Sequence, residues 1–84
     1  MNITFTRTPY DVDGKSCEVY VENRLVGWLM KDKYALMSEW FFQHAQHGSQ
    51  EDHGSNLREA KRDVTKWIKE AIARDSGWFW EHID

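Results

Sequence analysis

NLREAKRDVTKWIKEAIAR, residues 56–74, is the stretch whose reading decides the fold. At about 100° of rotation per residue, Leu57, Ala60, Val64, Trp67, Ile68, Ala71 and Ile72 fall on one narrow arc. The charges sort as cleanly. Arg58, Lys61, Arg62, Lys66 and Lys69 make a ridge on one flank, and Glu59, Asp63 and Glu70 line the other. A helix with a single apolar seam has to bury it, so the rest of the chain must supply the surface it covers. Ser55 or Asn56 is expected to cap its start, and Asn56 followed by Glu59 has the spacing of a reciprocal N-cap. The helix is expected to end near Arg74, with Gly77 taking the left-handed position beyond it.

That covered surface is predicted to come from strands N-terminal to the helix, over about residues 2–42. Ile3 and Phe5 alternate with Asn2, Thr4 and Thr6 until Pro9 closes the run at an edge or turn. Asp11, Asp13 and Gly14 read as a loop. Cys17, Val19 and Val21 alternate with Glu18, Tyr20 and Glu22, and the turn Glu22-Asn23-Arg24 leads into Leu25 to Met30. Asparagine tolerates the left-handed backbone that tight hairpins need. Asp32 and Lys33 make a second turn, and the aromatic-rich run Tyr34 to Phe42 reads as a further strand, although Ala35-Leu36-Met37 would also tolerate a helix. Residues 43–55 turn polar and read as a long exposed loop, a candidate binding element. Residues 75–84 form an aromatic tail, Trp78-Phe79-Trp80, too apolar to hang free. It either packs back on the sheet or stands as an exposed anchor. The expected class is α+β, a three- to four-stranded antiparallel sheet with one long C-terminal helix packed across one face.

Eighty-four residues make one domain, 1–84, with no room for a second core. The single cysteine, Cys17, cannot form an internal disulfide, which suits a reducing cytoplasm. Aromatics take over as core material: Trp67 by its place in the seam, and Trp28 and Trp40 in the sheet. No apolar run approaches the roughly 18 residues of a membrane span, and no basic start precedes an apolar core at the N-terminus. The expectation is a soluble cytoplasmic protein with no membrane partner. Its net charge of −3 is unevenly spread. Residues 56–74 hold six basic side chains against three acidic, and the remainder is acidic on balance, so a partner would meet two electrostatic faces.

Several apparent motifs fail on their chemistry. Asp11-Val12-Asp13-Gly14 starts like a calcium loop, but Lys15 stands at the next ligand position and no glutamate closes it. Gly14-Lys15-Ser16 ends like a phosphate loop, yet Pro9 occupies the place of the first glycine. His44, His47 and His53 could gather around zinc only by converging within about 2.0–2.2 Å of one ion, and no second motif supports that. They read as polar loop histidines in solvent, and no cofactor or metal is expected. Cys17 reads as a small buried hydrophobe, since nothing local marks an activated thiol. No paired-carboxylate or nucleophile-elbow spacing appears, so no enzymatic activity is expected.

Two features remain as partner-binding candidates. One is the helix ridge, Arg58, Arg62, Lys66 and Lys69, whose spacing could also contact phosphates along a duplex. The other is the tail pair Trp78 and Trp80, a residue type that often dominates protein–protein binding energy. The line Cys17 to Trp28, then Trp40 and Phe42, a glycine-containing polar loop and Asn56-Leu57-Arg58-Glu59-Ala60-Lys61 resembles small phage- or prophage-encoded proteins built as a β-meander followed by one helix. The same outline is similar to the arm-binding N-terminal domain of phage integrases, from which this chain departs by carrying acidic and apolar strands where basic side chains should be. The resemblance implies a non-catalytic interaction protein that binds and blocks or modulates a host protein, as anti-CRISPR proteins and other counter-defence factors do. The alternative is a nucleic-acid-binding accessory module using the helix ridge. Homodimerisation through a strand edge or the tail is a further expectation.

Overall fold

A computed structural model of the protein describes residues 1–8, 16–31, 40–47, 50–52 and 56–83, with the backbone alone described at 50–52. Strands β1 (Ile3–Arg7), β2 (Cys17–Val21), β3 (Arg24–Lys31), β4 (Trp40–His44) and β5 (Gln50–Asp52) form one antiparallel meander in chain order. Helix α1 (Leu57–Arg74) and the short helix α2 (Ser76–Trp80) complete it. The expected α+β class is what forms, with four strands of five to eight residues and a three-residue fifth.

The β2–β3 hairpin turns at Glu22 and Asn23, whose φ angles are 52° and 67°. Two consecutive left-handed residues match the right-handed twist of the flanking strands, which is why this turn type joins tight hairpins. Glutamate is an uncommon occupant of that region. It is held there by the first strand, because Glu22 Oε1 accepts from the Asn2 amide at 2.8 Å and the Glu22 amide donates to the Asn2 carbonyl at 2.9 Å.

Period-two alternation sends Cys17, Val19, Val21, Leu29, Trp40, Phe42 and His44 to the same side of the sheet, where α1 lies. The register slips between Val19 and Tyr20, and the extra residue on β3 is Val26. A bulge of this kind turns two consecutive residues toward one face. Val26 and Gly27 both enter the core side as a result, and Val26 is fully buried. Against this face α1 buries Ala60, Val64, Ile68 and Ala71, the apolar seam read from the sequence. Trp67 lies beside them, half-buried, its ring 5.4 Å from Phe42. Full burial of each large apolar side chain contributes about 1.5–3 kcal/mol, so the seam and its counterface dominate the stability of so small a chain.

The Asn56 cap forms as expected, its Oδ1 accepting from the Glu59 amide at 2.9 Å. Asn56→Ala is expected to cost about 1 kcal/mol by leaving that amide unmet. A chemical denaturation midpoint unchanged by the substitution would contradict the cap.

Three expectations need correction. The stretch 43–55 is not one exposed loop: β4 runs on to His44, residues 45–47 turn, and 50–52 pair with β4 as a fifth strand. Of the run expected to be extended from Tyr34, the part from Trp40 on is strand, and residues 34–39 lie outside the described residues. Gly77 does not end α1. Asp75 does, donating its amide to the Ala71 carbonyl, and it caps α2 in the same stroke by accepting from the Trp78 amide at 3.0 Å. Trp28 is not core. It sits half-buried on the side of the sheet away from α1. Pro9, the Asp11–Gly14 stretch, Lys15, the turn at Asp32 and Lys33, and His53 lie outside the described residues.

Candidate functional site

The outward side of α1 is where the sequence placed a binding ridge. Arg58, Arg62, Lys66 and Lys69 are all exposed there, within an arc of about 80° on a helix of 100° per residue. The seam fixes this orientation, since Ala60, Val64 and Ile68 cannot leave the sheet without exposing the core. The acidic flank neutralises little of the ridge. Arg62 approaches Asp63 at 4.0 Å, a surface contact of small worth. Among the described residues, Arg58, Lys66 and Lys69 have no ion-pair partner. Lys61 sits lower on the helix and points its ammonium over the Phe5 ring at 5.7 Å, so it belongs to the packing against β1.

Of the two arrangements expected for the aromatic tail, the packed one forms, as a short helix. Residues 76–80 form α2, with Phe79 fully buried and Trp78 and Trp80 half-buried on either side. Trp80 meets Phe79 edge-on at 5.2 Å and lies under the Arg24 guanidinium at 5.1 Å. Trp78 gives one ring face to His47, stacked at 4.1 Å with the planes 6° apart. The tail packs back on the body, and each tryptophan offers a partner only part of its surface.

Two histidines hold it there. His44 is not a solvent residue: it continues the Trp40, Phe42 alternation and is fully buried. Its Nε2–H donates to the Phe79 carbonyl at 2.9 Å, while its Nδ1 accepts the Gln46 amide at 3.1 Å and the His47 amide at 3.3 Å. Both ring nitrogens are committed, and the set of donors and acceptors requires the neutral ring with its proton on Nε2. His47, half-buried, donates from Nε2 to the Trp78 carbonyl. Both carbonyls belong to the C-terminal end of α2, where a helix runs out of its own amides; that of Trp78 also accepts the Glu81 amide at 3.4 Å. Burial pushes the His44 pKa below its ordinary 6.5, against the smaller opposing pull of the Phe79 carbonyl. Among the described residues no three metal-ligating side chains converge.

Sequence reading missed this clamp. Its signal was present, because extending the strand alternation two residues past Phe42 puts His44 inward. No helix among the described residues is long and apolar enough to cross a membrane. No family model, curated protein or solved structure matches the chain.

Proposed function

We propose that this protein is a non-catalytic binding domain whose docking surface is the exposed ridge of α1, and that its partner is an acidic face of another protein. One observation carries the reading. Three cations, Arg58, Lys66 and Lys69, have no ion-pair partner among the described residues and stand beside Arg62 on a helix that cannot rotate, in a chain whose net charge is −3. From Arg58 to Lys69 the ridge runs about 16 Å at 1.5 Å per residue, enough to span several carboxylates on a protein surface. Arginine forks and lysine ammoniums steer such an encounter and set its register more than they add raw affinity. The resemblance of the sequence to phage β-meander-plus-helix proteins suggests a host protein as that partner, which the ridge would occlude. A duplex fits less well, because Glu59, Asp63 and Glu70 line one flank of the ridge and the chain outside 56–74 is acidic on balance.

Capture from a bacterial lysate, treated with nuclease, separates these readings. A defined protein should co-purify, weaken with added salt, and fall at least tenfold with Arg62→Glu/Lys66→Glu, a pair of exposed changes that leave the melting temperature where it was. Retention of the same protein by the variant would overturn the proposal. Loss of all capture on nuclease treatment, with a duplex shift that weakens steeply with salt, would move the function to nucleic acid.

A further inference from the structure

The side of the sheet turned away from α1 holds a second constellation. Alternation places Thr6, Glu18, Tyr20, Trp28, Met30 and Phe41 there, and Glu18, Tyr20, Trp28, Met30 and Phe41 are half-buried. The basic residues of the described strands go elsewhere. Arg7, Arg24 and Lys31 stand opposite Cys17, Val21 and Trp40, on the helix side. Among the described residues, then, this face has a carboxylate and no cation.

We infer that Glu18, Tyr20 and Trp28 form a site for an arginine side chain presented by an extended segment of a protein partner. The register sets Trp28 directly opposite Glu18, so their Cβ atoms stand about 5 Å apart, as cross-strand neighbours do. A guanidinium lying on the indole face reaches that carboxylate from the same position, combining a cation–π contact with a charge-assisted hydrogen bond. Tyr20 prepares the acceptor. Its hydroxyl donates to Glu18 Oε2 at 2.7 Å, which fixes the carboxylate and leaves Oε1 for the incoming cation. The same bond raises the Tyr20 pKa above its ordinary 10.0. Glu18 has no ion pair among the described residues, so its half-buried carboxylate, held by the Tyr20 hydroxyl, has no cation opposite it. Met30 and Phe41 continue the apolar floor along the strands, where the aliphatic stem of arginine and its neighbours would lie. This surface is separate from the α1 ridge and opposite to it in charge, and the two inferences stand or fall independently.

The test is an amide-shift titration with acetyl-Ala-Arg-Ala-amide at low salt, against the same peptide with citrulline, a neutral isostere of arginine. Saturable shifts confined to residues 17–31 and 40–43 are expected with arginine and absent with citrulline. Glu18→Gln should weaken the arginine peptide at least fivefold and lower the Tyr20 titration toward 10, while the fold persists. Equal shifts from citrulline would overturn the inference, and that comparison needs no variant. Unchanged affinity in Glu18→Gln would overturn it too. Shifts at these residues that grow with protein concentration, without peptide, would identify a second copy as the occupant and defeat the proposal.

Discussion

Gly27→Ala is expected to destabilise the protein by about 3 kcal/mol, near the upper end of the usual cost of overpacking a filled core. A Cβ built on Gly27 would stand 2.2 Å from the Gln43 carbonyl oxygen and 2.8 Å from two atoms of the Phe42 ring. The first of these neighbours is backbone in the adjacent strand, and the second is a fully buried ring wedged against Trp67, so neither can yield cheaply. The cause is the bulge. By turning both Val26 and Gly27 inward it brings β3 so near β4 that only a residue without a side chain fits. Denaturant titration should show the midpoint collapse with little change in slope. A shift smaller than about 1 kcal/mol would mean that the bulge or the position of Phe42 is misjudged.

The second large effect belongs to His44. His44→Ala removes a donor to α2 and an acceptor for two turn amides, and it opens a void among His47, Trp78 and Phe79. Cavity and unmet hydrogen bonds together should cost about 3–4 kcal/mol. The native ring also makes stability depend on pH. Protonating Nδ1 would aim a new N–H at two amide donors, so the folded state favours the neutral ring and its pKa is depressed. A depressed folded pKa means that the stabilisation is complete above the ordinary value of 6.5 and is lost as the pH falls toward and through the folded value. Below 6.5 the wild type should lose up to about 1.4 kcal/mol per pH unit from this one group, and His44→Gln should lose correspondingly less. Equal pH dependence in melting curves of the two proteins between pH 7.5 and 5.5 would remove His44 from the account.

What the sequence disclosed and what it hid divide along physical lines. α1 was legible because its seam, its two charge flanks and its Asn56 cap all state the same helical period. The Glu22-Asn23 hairpin was legible through a residue type that tolerates positive φ. α2 was not, because five residues with a glycine inside, Ser76–Trp80, carry no periodicity to measure. Only Asp75 marked its start, and that side chain serves two helices at once. His44 was misread by chemistry, since histidine looks polar until a buried carbonyl is there to receive its proton. Trp28 was misread for the opposite reason: its size suggested core, but which face of a sheet a residue takes follows from register, and a bulge at Val26 reset it. The ridge of the candidate site was visible as a pattern of charges. That Arg58, Lys66 and Lys69 find no ion-pair partner among the described residues is a property of three dimensions.

Lysine footprinting by mass spectrometry, on the free protein and on the complex recovered by capture, tests most directly whether α1 turns its cations outward to dock. Lys66 and Lys69 should acetylate readily in the free protein and be strongly protected in the complex, with Lys31, on β3 and off the ridge, little changed. Equal labelling of Lys66 and Lys69 in both states would contradict the account.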